Sequence, residues 1–198
     1  MRVSVRYGFT FLCTTKTAST SIEHALTKHC ELITRGKHAT ELKHINYRGY
    51  SRYIEPMIEN IAGIRPETVC VMREPIDWLY SWYRYRKRDK VKKERSTREM
   101  NFQEFCELYL EGKAMLGRQS NFMKNQEGTV GVDRVFRYEN LDLLRNYFEE
   151  KIGKEIEFPV MNVSPHGEME LNEDLKKRLV EYLQEDYELY NSLAGGTL

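Results

Sequence analysis

From Phe11 to Glu23 the chain reads Phe-Leu-Cys-Thr-Thr-Lys-Thr-Ala-Ser-Thr-Ser-Ile-Glu, setting Lys16 among the six hydroxyls of Thr14, Thr15, Thr17, Ser19, Thr20 and Ser21. An apolar, aromatic-rich run precedes this stretch, and after it Ile22, Ala25, Leu26, His29 and Cys30 fall on one helical face. A loop that enters a helix N-terminus offers unpaired amides and the positive end of a helix dipole, which together favour phosphate or sulfate. Lys16 adds a mobile charge, and the small Ala18 lets the backbone approach a ligand closely. Taken alone, the stretch is equally a Ser/Thr-rich loop with an ordinary N-cap.

A second group with the same chemistry lies in Arg73-Glu-Pro-Ile-Asp-Trp-Leu-Tyr-Ser81. Arg73 ends an apolar run, and Ser81 stands six residues beyond Pro75, roughly 9 Å along a helix at about 1.5 Å per residue. In open α/β folds ligands gather at the carboxyl ends of the strands, so both groups should face one crevice. An arginine fork with a hydroxyl suits a second anion. The ordinary roles are a surface ion pair for Arg73 and a carbonyl-bonded helix serine for Ser81.

The elements that must hold these groups are legible in outline. A strand is expected within Val5 to Cys13, and Thr68-Val-Cys-Val-Met72 lacks alternation, as suits a strand buried on both faces of a parallel sheet. Arg134 to Tyr138 reads as a third strand. Pro75 opens a helix running through Trp78, Trp82 and Tyr83 into a basic tract, Pro56 to Ile64 forms a short helix, and Leu32 to Tyr53 is mostly loop. Asn101 with Glu104 resembles a capping pair for a helix through Phe105 and Tyr109, and another helix covers part of Gly117 to Asn125. Gly153 ends a helix from about Leu141, and one long helix follows Asn172 through Leu175, Leu179, Leu183 and Tyr190. Strands alternating with helices predict a single α/β domain over residues 1–198, with a parallel sheet flanked by helices.

The chain of 198 residues, 40% of them hydrophobic, is long enough for one core and short for two. Thirty-one basic against thirty acidic residues leave a net charge of +1, so electrostatic specialisation must be local and no polyanionic partner follows from the balance. The local excess is Arg84, Arg86, Lys87, Arg88, Lys90, Lys92, Lys93, Arg95 and Arg98, by default a solvated helix extension, otherwise a surface steering an anionic acceptor or donor. Cys13, Cys30, Cys70 and Cys106 make no C-x-x-C pair, and three of them sit in apolar runs and read as small hydrophobes in a reducing compartment. No apolar run suits a leader or a membrane span, so a cytoplasmic protein is expected.

Together the two anion groups resemble the PAPS-dependent sulfotransferases, nearest the carbohydrate-type and bacterial members. Thr15-Lys-Thr-Ala-Ser-Thr20 is similar to the family's P-K-x-G-[ST]-[ST] loop for the 5′-phosphosulfate, departing at Thr15 for proline and Ala18 for glycine. Arg73 to Tyr83 matches its R-x-P-x-x-x-x-x-S-x-Y element for the 3′-phosphate, and Phe136-Arg-Tyr-Glu-Asn-Leu141 is similar to R-Y-E-[DN]-L. With Asn162-Val-Ser-Pro165, the resemblance spans about residues 9–190. It implies a P-loop-NTPase-like open sheet and sulfuryl transfer from PAPS to an acceptor hydroxyl, most simply on a carbohydrate, leaving adenosine 3′,5′-bisphosphate.

By that resemblance Thr15, Lys16, Thr17, Ala18, Ser19, Thr20 and Ser21 hold the phosphosulfate, Arg73 and Ser81 the 3′-phosphate, and Tyr138 lies near the adenine. Lys16 supplies the cation at the leaving oxygen. His38, in a Lys-His-Ala-Thr element similar to one at the acceptor side of bacterial members, is the expected base, with Glu41 and His44 as alternatives. Asn162 and Ser164 belong to a segment closing over the nucleotide, and Gln119 with Asn121 faces the acceptor. The reaction needs no metal, and His38-x-x-Glu41-x-x-His44 is not a zincin spacing. Two rivals stand: a P-loop nucleotide kinase, which would need G-x-x-x-x-G-K-[ST] and a magnesium-binding acid, and a non-enzymatic nucleic-acid-binding module built on the basic tract.

Overall fold

The computed structural model describes residues 1–35, 40–161 and 169–193; His38, Asn162 and Ser164 lie outside them. Five strands form one sheet in the order β3-β1-β2-β4-β5: β1 (Arg2–Ser4), β2 (Phe9–Phe11), β3 (Leu32–Ile33), β4 (Glu67–Met72) and β5 (Arg134–Arg137). β2, β4 and β5 pair in parallel, while β1 runs antiparallel to both neighbours, β2 and β3. The sheet is therefore mixed rather than purely parallel. The strand expected within Val5 to Cys13 is β2, and Val5 to Gly8 before it form the hairpin turn from β1, with Gly8 at φ 67°. β1 escapes a hydropathy reading because Arg2 is buried by pairing with Glu23 at 2.8 Å.

Helices cover both faces and the carboxyl edge. α1 (Ser19–Leu26) follows the hydroxyl loop; α2 (Thr40–Lys43), α3 (Tyr47–Gly49) and a π-helical turn at Tyr50–Ile54 fill the region expected to be mostly loop, and α4 (Glu55–Ala62) is the short helix expected at Pro56 to Ile64. α5 (Pro75–Arg86), α6 (Phe102–Leu110) and α7 (Gln119–Met123) precede β5, and α8 (Leu141–Ile152) follows it. α9 (Glu173–Tyr182) and α10 (Gln184–Ser192) correct the single long C-terminal helix: the chain breaks at Leu183, which is fully buried, as is Asp186 just beyond it. The capping box of Asn101 and Glu104 forms in both directions, and Gly153 closes α8 in the left-handed region, as expected.

β4 is buried on both faces. Val69 and Val71 join Phe9, Phe11 and Ile22 with α8's Leu144 and Phe148, whereas Cys70 and Met72 join Leu12, Tyr50, Met123 and Leu189 on the opposite face. A third cluster packs α5, α6 and α9 together. The basic tract begins in the last turn of α5 at Arg84 and Arg86 but does not prolong it: Thr97 Oγ1 donates to Tyr83 O at 2.7 Å and Arg98 Nε to Lys87 O at 3.1 Å, folding the rest back across the helix end. Among the described residues no helix is long and apolar enough to cross a membrane.

Candidate functional site

The hydroxyl loop leaves β2 at the centre of the carboxyl edge and is pinned from below. Leu12 N donates to Val69 O, and the Thr14 hydroxyl donates to Val71 O, which ties the loop to the end of β4. Thr17 Oγ1 donates back to Thr14 O at 3.1 Å, so these two hydroxyls shape the loop from inside. Lys16 at φ 65° and Ala18 at φ 55° both take left-handed backbone, which throws the loop outward before α1 begins.

α1 starts without a side-chain cap despite its run of hydroxyls. Ser21 and Ile22 are the first amides to turn back, both to Ala18 O, and among the described residues the amides of Lys16, Thr17 and Ala18 enter no backbone hydrogen bond. That is the condition under which a helix N-terminus binds an anion. Ser19 and Ser21 are buried beneath it and Thr20 is half-buried.

Arg73, at the end of β4, comes to the same loop. Its Nη1 donates to Lys16 O at 3.4 Å, its Nε to Asp77, and its guanidinium lies 4.3 Å from the centre of the Tyr138 ring. Trp78 of α5 donates its indole N–H to Thr15 O at 2.9 Å, a second tie between loop and helix. Ser81 is buried on the stripe of α5 that also carries Asp77 and Arg84, since residues three or four apart share a helix face. Thus Lys16, Arg73 and Tyr138, far apart in sequence, stand around one end of the sheet, with Ser81 buried on the helix that follows Arg73.

The Lys16 ammonium lies 4.4 Å from the centre of the Tyr85 ring and 5.8 Å from that of Trp82. Burial, with the guanidinium charges of Arg88, Arg73 and Arg84, brings its pKa down to about 8. Arg84 and Arg88 belong to the basic tract and could not be assigned to the site from sequence, because only the direction of α5 turns them toward Lys16. Asp77 was likewise missed; its signal was the spacing of four from Arg73.

Of the candidate bases, Glu41 is exposed and His44 is half-buried at the end of α2. His44 Nδ1 is 2.7 Å from Cys13 O, immediately before the hydroxyl loop. A carbonyl only accepts, so Nδ1 carries the proton and Nε2 keeps its lone pair. Burial lowers the His44 pKa, against the opposing pull of that carbonyl bond, and favours the neutral ring. Lys43 beside it is held by the buried Glu23 of α1 at 3.0 Å.

Gln119, expected toward an acceptor, instead grips the backbone of Arg73: Oε1 accepts from Arg73 N at 3.1 Å and Nε2 donates to Arg73 O at 2.9 Å. Asn121 is exposed. A cavity of about 280 Å³ opens between the loop at Thr14 and Thr15, the tryptophans of α5, and the segment from Met115 to Phe122. Trp78, which belongs to the core cluster of α5, α6 and α9, and Trp82, packed against that cluster, form its walls. Among the described residues no group of three His, Cys, Asp or Glu side chains is placed to hold a metal ion. No protein-family model, no curated protein and no solved structure matches the chain.

Proposed function

We propose that this chain is a PAPS-dependent sulfotransferase, moving a sulfuryl group from 3′-phosphoadenosine 5′-phosphosulfate to an acceptor hydroxyl. The observation that carries the reading is the gathering of Lys16 with Arg73, Arg84 and Arg88 at the uncapped start of α1. A lysine depressed first by burial and then by neighbouring guanidinium charges, one of them shared with Asp77, suits a ligand bearing several negative charges. The donor fits this set. The amides of Lys16, Thr17 and Ala18, with the hydroxyls of Thr15 and Thr20, receive the phosphosulfate, Arg73 and Ser81 the 3′-phosphate, and Tyr138 offers its ring beside Arg73 to the adenine.

The acceptor oxygen attacks sulfur in line as the bond from sulfur to the bridging oxygen breaks. His44 Nε2 takes the acceptor proton, and the Lys16 ammonium stabilises the negative charge left on the departing bisphosphate. Cys13 O keeps the imidazole in the tautomer this transfer requires.

Calorimetric titration with adenosine 3′,5′-bisphosphate, ATP and a single-stranded oligonucleotide tests the assignment. Tight binding of the bisphosphate alone is expected. Preference for ATP would turn the reading to a nucleotide kinase, and preference for the oligonucleotide to a nucleic-acid-binding module.

A further inference from the structure

The cavity beside the hydroxyl loop carries chemistry that the donor does not use. Its walls are Trp78, Trp82, Leu116 and Phe122, with the two indoles edge to face at 6.3 Å between ring centres. These are the only two tryptophans in the chain. Thr14 and Thr15 form the side nearest the sulfuryl cradle, and Trp82 also lies beside Lys16.

The polar groups around the cavity are mostly committed elsewhere. The Thr14 hydroxyl donates to Val71 O, both ends of the Gln119 amide are bonded to Arg73, and the Trp78 indole donates to Thr15 O. Arg118 is 3.5 Å from Glu185 and lies over the Tyr182 ring. Trp82 Nε1 is buried away from the cavity and bonded to no group among the described residues, while the Thr15 hydroxyl stands at the cavity's edge. Beyond the Thr15 hydroxyl and the Arg118 guanidinium, the side chains that line the cavity are apolar or already bonded.

This inventory discriminates between acceptor classes. A sugar ring brings several hydroxyls, each a donor and an acceptor, and each left unpaired on burial weakens binding roughly tenfold to a hundredfold. A hydrocarbon or aromatic ring bearing one hydroxyl asks for little polar pairing and gains from contact with the apolar walls. An apolar cavity of about 150 Å³ already admits benzene, so this one has room for a substituted ring. We infer that the cavity lined by Trp78, Trp82, Leu116 and Phe122 is the acceptor pocket, and that it takes an apolar ring carrying a single hydroxyl, such as a phenol, rather than a carbohydrate. This rests on the sulfotransferase reading and narrows its acceptor.

Because both tryptophans line the cavity, their fluorescence reports its occupancy without turnover. Titration with 4-methylphenol, cyclohexylmethanol and methyl β-glucoside should give saturable changes for the first two, at least tenfold tighter than for the glucoside. Leu116→Asp should abolish the response while adenosine 3′,5′-bisphosphate binds within about twofold of the parent, and Leu116→Asn should weaken it with the unfolding midpoint retained. Turnover with PAPS should follow the same order of acceptors. A glucoside that binds as tightly as the phenol, or a Leu116→Asp protein that responds normally, overturns the inference. Bisphosphate binding without any phenol response removes the pocket and leaves the donor reading standing. Phenol binding without bisphosphate binding removes the donor reading, and the acceptor assignment falls with it.

Discussion

Lys16 is a cation kept among cations. Its ammonium is half-buried against Tyr85 and Trp82 and faces Arg73, Arg84 and Arg88, which together with burial bring its pKa to about 8. Lys16→Ala removes one of these mutually repelling charges, so the fold should not weaken. A charge-assisted hydrogen bond made only in the transition state contributes about 1.5–3 kcal/mol, and kcat with PAPS should fall by roughly tenfold to over a hundredfold. Near-normal kcat in the folded variant would take the role from Lys16. The same pKa sets the pH profile. The charged lysine predominates below about pH 8, so kcat/KM for the donor should decline as pH rises through that value. An approaching anion favours the charged form, so bisphosphate binding at pH 8 should draw in protons, seen as a dependence of the binding heat on buffer ionisation enthalpy. On the acid side, burial lowers the His44 pKa, so loss of the base should begin below the pH at which an ordinary histidine protonates. His44→Ala should remove that limb, and a profile unchanged by the substitution would move the base to Glu41 or His38.

At the scale of elements, the loop and α1 act through backbone conformation. Ala18 sits at φ 55° and ψ 16° at the head of α1, where an L side chain is disfavoured by about 1 kcal/mol or more. Ala18→Gly should relieve this and raise stability by about 0.5–1 kcal/mol despite the added freedom of the unfolded chain. Urea denaturation checks it, and a drop in stability would mean that the Ala18 methyl has packing value beyond its backbone cost. The parent residue thus keeps a strained turn in the loop proposed to bind the donor. α5 contributes differently: its direction delivers Arg84 toward Lys16, and its indole at Trp78 anchors Thr15 O.

Across the whole molecule, the C-terminal helices reach the site through one buried carboxylate. Asp186 of α10, fully buried, accepts from the amides of Gln119 at 3.0 Å and Ser120 at 2.9 Å, capping α7. Gln119 then holds both backbone groups of Arg73. Asp186→Ala would leave two buried amides unpaired and should cost about 3 kcal/mol, with weaker bisphosphate binding because the Arg73 clamp loosens. Asp186→Asn retains an acceptor oxygen and should lose less of both. Denaturation and titration on the same samples check the pair; unchanged bisphosphate affinity in a folded Asp186→Ala protein would cut this connection.

Local features were legible from the amino acids alone. Short-range chemistry fixes the loop of hydroxyls entering a helix, Arg73 at the end of a doubly buried strand, the Asn101 and Glu104 capping box and the Gly153 stop, because their partners lie within a few residues. β1 and β3 were invisible, being short and held by pairing with distant chain and, for Arg2, by a buried ion pair with Glu23. The break at Leu183 was equally hidden, since the apolar spacing runs through it and only packing against three other elements turns Asp186 inward. The sequence by itself determined which groups can bind an anion and which strand ends carry them. Tertiary structure alone decided that four cations meet at Lys16, that His44 leans on Cys13 O, and that two tryptophans line a cavity. Each of these depends on through-space contacts between residues many positions apart, which no local pattern encodes.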